Sequence, residues 1–344
     1  MLVYIDGFDT YNTADIGQRL NITDGTPSIV TTDPRTGSQC IEDNNPSFET
    51  WFRSVSALDT YISGWAIFRT GTNPGIMDFR EGTTVHVHVR YNSLSGNLEV
   101  WRGYEGTLLG TAALSFPTDT WTYFEVKCVV HDSTGSVEVR VNGSSTPIIN
   151  LTGVDTRNGG ASGVIDNIGH RSDGGAASHR YDDWYICDTS GSINNDFLGD
   201  IRVDAIVPDG DGALTQLATT FPASPTTHFD KVDESLHDGD STYNEDDIDN
   251  TIDLFTLENL PALSGTGVVH GVQTAIVAKK MDAGAKSMRH KMRVAGIDYD
   301  GNTQALATSY AAYLQMRETN PNTGVKFTEA DVNSGIEVGY EVLP

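Results

Sequence analysis

Two stretches of the chain carry closely spaced carboxylates that invite a catalytic reading, Glu245 with Asp247 and Glu329 with Asp331. Glycoside hydrolysis needs two carboxyl groups across the scissile bond, and a single strand can present them as Glu-x-Asp-x-x-Glu. Here Asn250 and Ser334 stand where the second glutamate belongs. A lone carboxylate cannot act as both acid and nucleophile, so no catalytic residue is expected. His86 and His88 lie two apart, a spacing that places both on one face of a strand and allows a shared metal, but no third ligand follows nearby. The plainer reading is of exposed polar residues alternating with valines. Asp209-Gly-Asp211-Gly and Asp298-Tyr-Asp300-Gly-Asn302 put oxygens at alternate positions, as calcium loops do, without the full spacing of a helix-loop-helix site. Calcium is the one cofactor these loops leave open, and turn formation is the simpler role. Trp101, Trp121 and Trp184 are the candidates for stacking on a sugar ring, because a flat apolar face matches the C–H face of a pyranose; the alternative is burial in a core.

The elements that would position these groups are strands. From Thr118 to Gly143, Phe124, Val126, Cys128 and Val130 alternate with Tyr123, Glu125, Lys127 and Val129, the period of two of a half-buried strand. Val137, Val139 and Val141 repeat the pattern after the turn formers from His131 to Gly135, and Asn142-Gly143 closes the hairpin. An isolated hairpin is marginal in water, so this one is expected within a sheet packed on a second sheet, with Phe124, Val126, Val130, Val137, Val139 and Val141 in the core. Val85, Val87, Val89 and Tyr91 form another inward face, leaving His86, His88 and Arg90 outside. Short apolar runs broken by Asp33-Pro34, Asn44-Asn45-Pro46, Ser63-Gly64 and Asn73-Pro74-Gly75 complete an all-β rhythm. A Gly/Asp/Ser-rich stretch from Arg157 to Ser178 reads as a loop at the end of a sandwich. The polar break Asp188-Thr189-Ser190-Gly191-Ser192 suggests a boundary, with a β-sandwich domain over 1–190 and a second over 191–344. In the second, a strand over Phe197–Val207, a turn at Pro208-Asp-Gly-Asp-Gly, a hairpin pairing Val268–Ala278 with Met288–Val294, a strand over Tyr310–Glu318, a capped helix at Thr328-Glu329-Ala330-Asp331 and a last strand over Ile336–Val342 are expected.

Composition narrows the partners. The formal net charge of −25 disfavours nucleic acid and anionic membrane, both of which reward basic surfaces. No apolar run reaches the ~20 residues of a membrane-spanning helix, and the opening MLVYIDGFDTY lacks the pattern of a signal peptide. Cys40, Cys128 and Cys187 are widely spaced and odd in number, as expected of buried free thiols. Between Asp230 and Glu258 eleven carboxylates face a single Lys231. The strand carrying Arg289, Lys291 and Arg293 is the basic counterpart, pairing with that acidic run inside the domain or across copies of a homo-oligomer such as a trimer.

Taken together, LVYIDGFDTYNTADI, TWTYFEVKCVVHDSTGSVEVRVNG with LTGVDTRNGG, YDDWYICDTSGSINNDFLGDIRVDAIVPDGDG, DLFTLENLP, VHGVQTAIVAKKMDAG and TSYAAYLQMRETNPNTG resemble virion structural proteins of tailed bacteriophages and prophages. The amino-terminal half is similar to concanavalin A-like, laminin-G-like jelly rolls. This resemblance implies two jelly-roll sandwiches in tandem, a non-enzymatic role on a tail or tail fibre, location in the virion, contacts with other virion proteins and with host surface glycan. A capsid decoration or head fibre is one alternative. A lectin or glycan depolymerase is the other.

Overall fold

The computed structural model describes residues 1–43, 49–159, 162–172, 178–262 and 267–344. The Asn44-Asn45-Pro46 break, and the part of the Arg157–Ser178 loop at 160–161 and 173–177, lie outside the described residues. The chain is all-β and antiparallel throughout, and it divides into two compact units, Met1–Val203 and Asp204–Pro344.

In the first unit the strands are β1 (Leu2–Asp6), β2 (Asn21–Asp24), β3 (Ser28–Val30), β4 (Cys40–Glu42), β5 (Thr50–Leu58), β6 (Thr60–Phe68), β7 (Gly75–Glu81) and β8 (Thr84–Asn92). They continue as β9 (Asn97–Arg102), β10 (Thr107–Ala113), β11 (Trp121–Val129), β12 (Gly135–Val141), β13 (Ile149–Val154), β14 (Ile165–Arg171) and β15 (Arg180–Asp188). A short helical stretch, Thr13–Asp15 then Ile16–Arg19, joins β1 to β2. Eight strands form one sheet in the order β13-β12-β11-β6-β15-β4-β3, with β1 also on β15; seven form the other as β10-β9-β8-β7-β14-β5-β2. This is a jelly-roll sandwich. Its two inner faces meet around Trp51, Trp65, Trp184 and Tyr181, with Trp65 and Trp184 ring centroids 4.9 Å apart. The three cysteines are buried free thiols, and burial pushes Cys40 up to about 12.

The hairpin β11–β12 pairs Phe124 with Val141, Val126 with Val139 and Cys128 with Val137. Phe124, Val126, Val130, Val137 and Val139 are in the core; Val141 is only half-buried. The opposite face of β11 was expected to be wet, yet Tyr123 and Glu125 are buried too. The cause is the segment from Asn194 to Val203, which runs without strand structure across the outer face of the eight-stranded sheet. The Gly199 amide donates to Glu125 Oε1 at 2.8 Å, the Leu198 amide to the Tyr185 hydroxyl at 3.3 Å, and Lys127 pairs with Asp196 at 3.1 Å. Arg140 lies 3.9 Å from the Phe197 ring centroid. Thus Phe197–Val207 is not the opening strand of a second domain. The interruption at 188–192 is present, but the chain beyond it stays on the first unit as a strap.

The second unit contains β16 (Pro208–Thr215), β17 (Thr219–Phe221), β18 (Tyr243–Glu245), β19 (Ile252–Leu257), β20 (Val272–Ala278), β21 (Ser287–Val294), β22 (Ile297–Ala305), β23 (Ala311–Arg317) and β24 (Ile336–Leu343). Five form a sheet ordered β16-β19-β24-β21-β22, and β17–β18 and β20–β23 make two ribbons. The β20–β23 ribbon lies on the sheet, with Thr274 hydrogen-bonded to His290 at 2.8 Å. Met292, Val294, Phe327, Val332 and Ile336 form a core into which the helix Glu329–Ser334 packs. That helix opens with the expected capping box: the Asp331 amide donates to Thr328 Oγ1 and the Thr328 amide to Asp331 Oδ2. Two expectations fail here. Pro208-Asp-Gly-Asp-Gly is the start of β16 and not a turn, because its glycines admit a close neighbour: a Cβ on Gly212 would lie 2.7 Å from the Leu254 carbonyl oxygen. The Val268–Ala278 stretch pairs with β23, while Met288–Val294 sits between β22 and β24.

Candidate functional site

Strand β8 turns Val85, Val87, Val89 and Tyr91 into the sandwich and presents His86, His88 and Arg90 on the outer face of the seven-stranded sheet. The two histidines are nonetheless fully buried, contrary to the reading of them as exposed alternating residues. After β9 the chain folds back over this face, so that the Tyr104 ring lies 5.2 Å from the His88 ring and the Arg171 guanidinium stacks 3.8 Å from the Tyr104 centroid. Beneath them Asp78 accepts from Arg80 Nε at 3.0 Å and meets His88 Nδ1 at 2.5 Å. Burial pushes the Asp78 carboxyl up, but Arg80 and then His88 outweigh it and hold it at about 2. His86 has its own partners, the Asn158 amide at 3.1 Å and Glu81 Oε2 at 3.2 Å. Each imidazole is therefore committed to a different carboxylate, and the two do not form a shared metal site.

At the flank of this closed centre lies Trp101. It stands on β9 opposite His88 on one side and Leu108 of β10 on the other. Its ring is half-buried, its Nε1 donates to Glu99 Oε2 at 2.9 Å, and the Arg90 guanidinium lies 5.0 Å from its centroid. Arg90 also donates to Glu99 at 2.9 Å and to Glu105 at 2.6 Å, and Asn92 Nδ2 donates to Glu99 Oε1 at 3.0 Å. Burial alone would raise Glu99; hydrogen bonds from Arg90, Trp101 and Asn92 prevail and hold it below the usual carboxylate range. The result is a pinned indole bordered by a guanidinium, an amide and two carboxylates. Such a set can stack on a sugar ring and bond its hydroxyls.

The other tryptophans do not share this setting. Trp184 is a fully buried core residue whose Nε1 donates to Ser63, so it cannot stack on a ligand. Trp121 is half-buried beside Phe68, 5.5 Å between centroids, on the other sheet. Arg90, Glu99, Asn92 and Glu105 escaped the sequence reading as site residues. Their signal was the β8–β9 hairpin itself: the turn at Ser95-Gly96 sets Arg90 opposite Glu99 and brings both beside Trp101.

Most of the remaining candidates are occupied by structural tasks. Asp331 caps a helix, Glu245 is exposed on β18, and Asp247 is exposed beyond it. Asp209 accepts from the Thr256 hydroxyl at 2.7 Å, and Asp211 Oδ1 accepts the His228 and Phe229 amides. Asp298 and Asp300 are strand residues on β22, not a loop. They pair with the basic strand: Arg293 with Asp298 at 2.9 Å, Lys291 with Asp300 at 2.5 Å, and Arg289 with Asp300 at 2.8 Å and Glu341 at 2.6 Å. Arg289, Lys291 and Arg293 are thus neutralised by their own sheet, not by the acidic run. Among the described residues no group of three or more His, Cys, Asp or Glu side chains is placed to hold a metal ion, and no helix is long and apolar enough to cross a membrane.

No family model matches the chain, and no curated protein does. Solved structures similar to part of it include domain 4 of AbnA, a GH43 extracellular arabinanase from Geobacillus stearothermophilus, at 15% identity and TM-score 0.35, covering 54% of this chain and 91% of that one. Others are the carbohydrate-binding module CBM66 from Bacillus subtilis, at 7% identity and TM-score 0.31 over 48% and 90% of the two chains, and the Caenorhabditis elegans galectin LEC-6, at 9% and 0.29 over 50% and 97%.

Proposed function

We propose that the first unit is a non-enzymatic glycan-binding module that seats a sugar ring against Trp101, with Arg90, Asn92 and Glu105 meeting its hydroxyls. The observation that carries this reading is the half-buried indole held by Glu99 and Arg90 on the outer face of the seven-stranded sheet. Screening the full chain against bacterial surface polysaccharides, then titrating the best ligand calorimetrically, tests it. Trp101→Ala is expected to lower affinity about tenfold, the ~1.4 kcal/mol of one aromatic stacking contact, without changing the melting temperature. Unchanged affinity would remove Trp101 from the site. No reducing ends are expected to be released, since Asn250 and Ser334 stand where each pair would need its second glutamate.

The setting we assign to this module is the surface of a phage particle, on a tail or fibre, with a capsid decoration as the alternative. That assignment is supported by the sequence segments quoted above. Antibody labelling of intact particles separates head from tail, and particles that carry no label on either would refute it.

A further inference from the structure

The acidic run of the second unit borders an aromatic pair, one ring of which is exposed. On the β17–β18 ribbon Phe221 is paired with Tyr243, and the two rings stack at 5.2 Å between centroids with 14° between planes. Phe221 is 46% exposed. Tyr310 belongs to the same neighbourhood: burial, Asp240, Tyr243 and Asp238, in that order, raise its hydroxyl well above the usual phenol range. Lys279 already shows what this surface recognises. Its ammonium lies 4.4 Å from the Tyr310 centroid and 2.5 Å from Asp240 Oδ1, between a ring face and a carboxylate. Phe221 and Tyr243 repeat the ring half of that arrangement. Glu234 and Asp238 supply the carboxylate half, gathered by the hydroxyl of Thr242, which precedes Tyr243, at 2.8 and 3.0 Å. Both are exposed and neither has a cationic partner among the described residues. The basic strand of the same unit is spent on Asp298, Asp300 and Glu341.

A neutral sugar would leave the charge of these carboxylates uncompensated, whereas a cation satisfies the negative ring faces and the carboxylate charge together. We propose that the Phe221–Tyr243 face of the second unit docks a lysine- or arginine-bearing peptide segment of a partner protein, one cation seated on the stacked rings with Glu234 and Asp238 at the rim. The site shares no residue with the Trp101 face, and its test does not depend on glycan binding.

The test is calorimetric titration of the full chain with a hexalysine peptide at low and physiological ionic strength, with hexaglutamate and a neutral Gly/Ser peptide as controls. Hexalysine alone is expected to bind, more weakly at the higher salt because exposed pairs are screened. Phe221→Leu keeps the apolar bulk but removes the ring, and is expected to weaken binding about two- to fivefold, as loss of one exposed cation–π contact does. Glu234→Gln with Asp238→Asn, both at exposed positions, should weaken it and flatten the salt dependence. If Phe221→Leu lowers the melting temperature, the Glu234/Asp238 double variant decides alone. No hexalysine binding at low salt, equal binding of the neutral peptide, or wild-type affinity in both variants would overturn the proposal.

Discussion

Asp182 and Asp183 are neighbours in sequence and both fully buried, but of the two it is Asp183 that meets the Arg35 guanidinium, which also reaches Asp200. Arg35 donates to Asp183 at 2.5 Å, its amide donates to Asp182 at 2.9 Å, and the Val203 amide donates to Asp183 at 2.7 Å. Asp183 adopts φ +55° where β15 shifts register, which turns both carboxylates toward the loop carrying Arg35. Burial, then the charge of Asp183, raises Asp182 well above the usual carboxylate range; burial also raises Asp183, against the pull of Arg35. Two adjacent buried carboxyls, one beside a guanidinium and the other served by amides alone, retain a proton at neutral pH. The sign of the pH effect follows. A carboxyl whose folded pKa exceeds its unfolded value contributes most below about pH 4, and that contribution declines as pH rises toward the folded value. Arg35→Met should therefore destabilise the first unit by about 3 to 5 kcal/mol, with a larger loss at pH 8 than at pH 5, since the orphaned pair is more ionised there. Urea titrations at both pH values measure this, and an equal loss at both would show that the pair's charge is not what Arg35 offsets.

Among the elements, β21 carries basic side chains whose carboxylate partners lie in its own sheet. Arg289, Lys291 and Arg293 alternate as a basic stripe, and from the sequence an acidic partner at a distance looked natural. In the sheet the stripe faces β22 and β24, and Lys291 and Glu341 are buried. Reversing Arg289 and Arg293 to Glu sets a new carboxylate against buried Glu341 and should destabilise the second unit by about 3 kcal/mol or more. A denaturant melt that left stability intact while oligomer mass changed would restore the docking role. Legibility followed the same line between local and distant partners. The β11–β12 hairpin, the last strand and the Thr328 capping box were readable because turn residues and periodicity fix them within a few positions. The pairing of β20 with β23 was not, since β20 and β21 alternate alike and only a distant strand distinguishes them. Nor was the burial of His86 and His88, which depends on Tyr104 and Arg171 arriving from other parts of the chain. Trp101 was legible as a residue type, but its guanidinium, amide and carboxylate neighbours required the register.

At the scale of the whole molecule, β15 is the strand on which the first unit depends. It lies between β6 and β4, also carries β1, and brings Tyr181 and Trp184 into the aromatic centre. It is also the last strand of that unit in the chain. Leu2 of β1 pairs with Cys187, so at ribosomal rates of 5 to 20 residues per second β1 waits roughly 10 to 40 s for its partner. Once β11 has emerged, β6 has it on one side and an open edge on the other, with Trp65 still lacking Tyr181 and Trp184. Nascent chains should accordingly collapse late and expose a sticky edge until residue 188 has emerged. A chain ending at residue 178 is expected to be insoluble or protease-sensitive, and a soluble fragment with native tryptophan fluorescence would contradict this. For this protein the hazardous moment is therefore one of synthesis: β1 leaves the ribosome long before the strand that gives it its place.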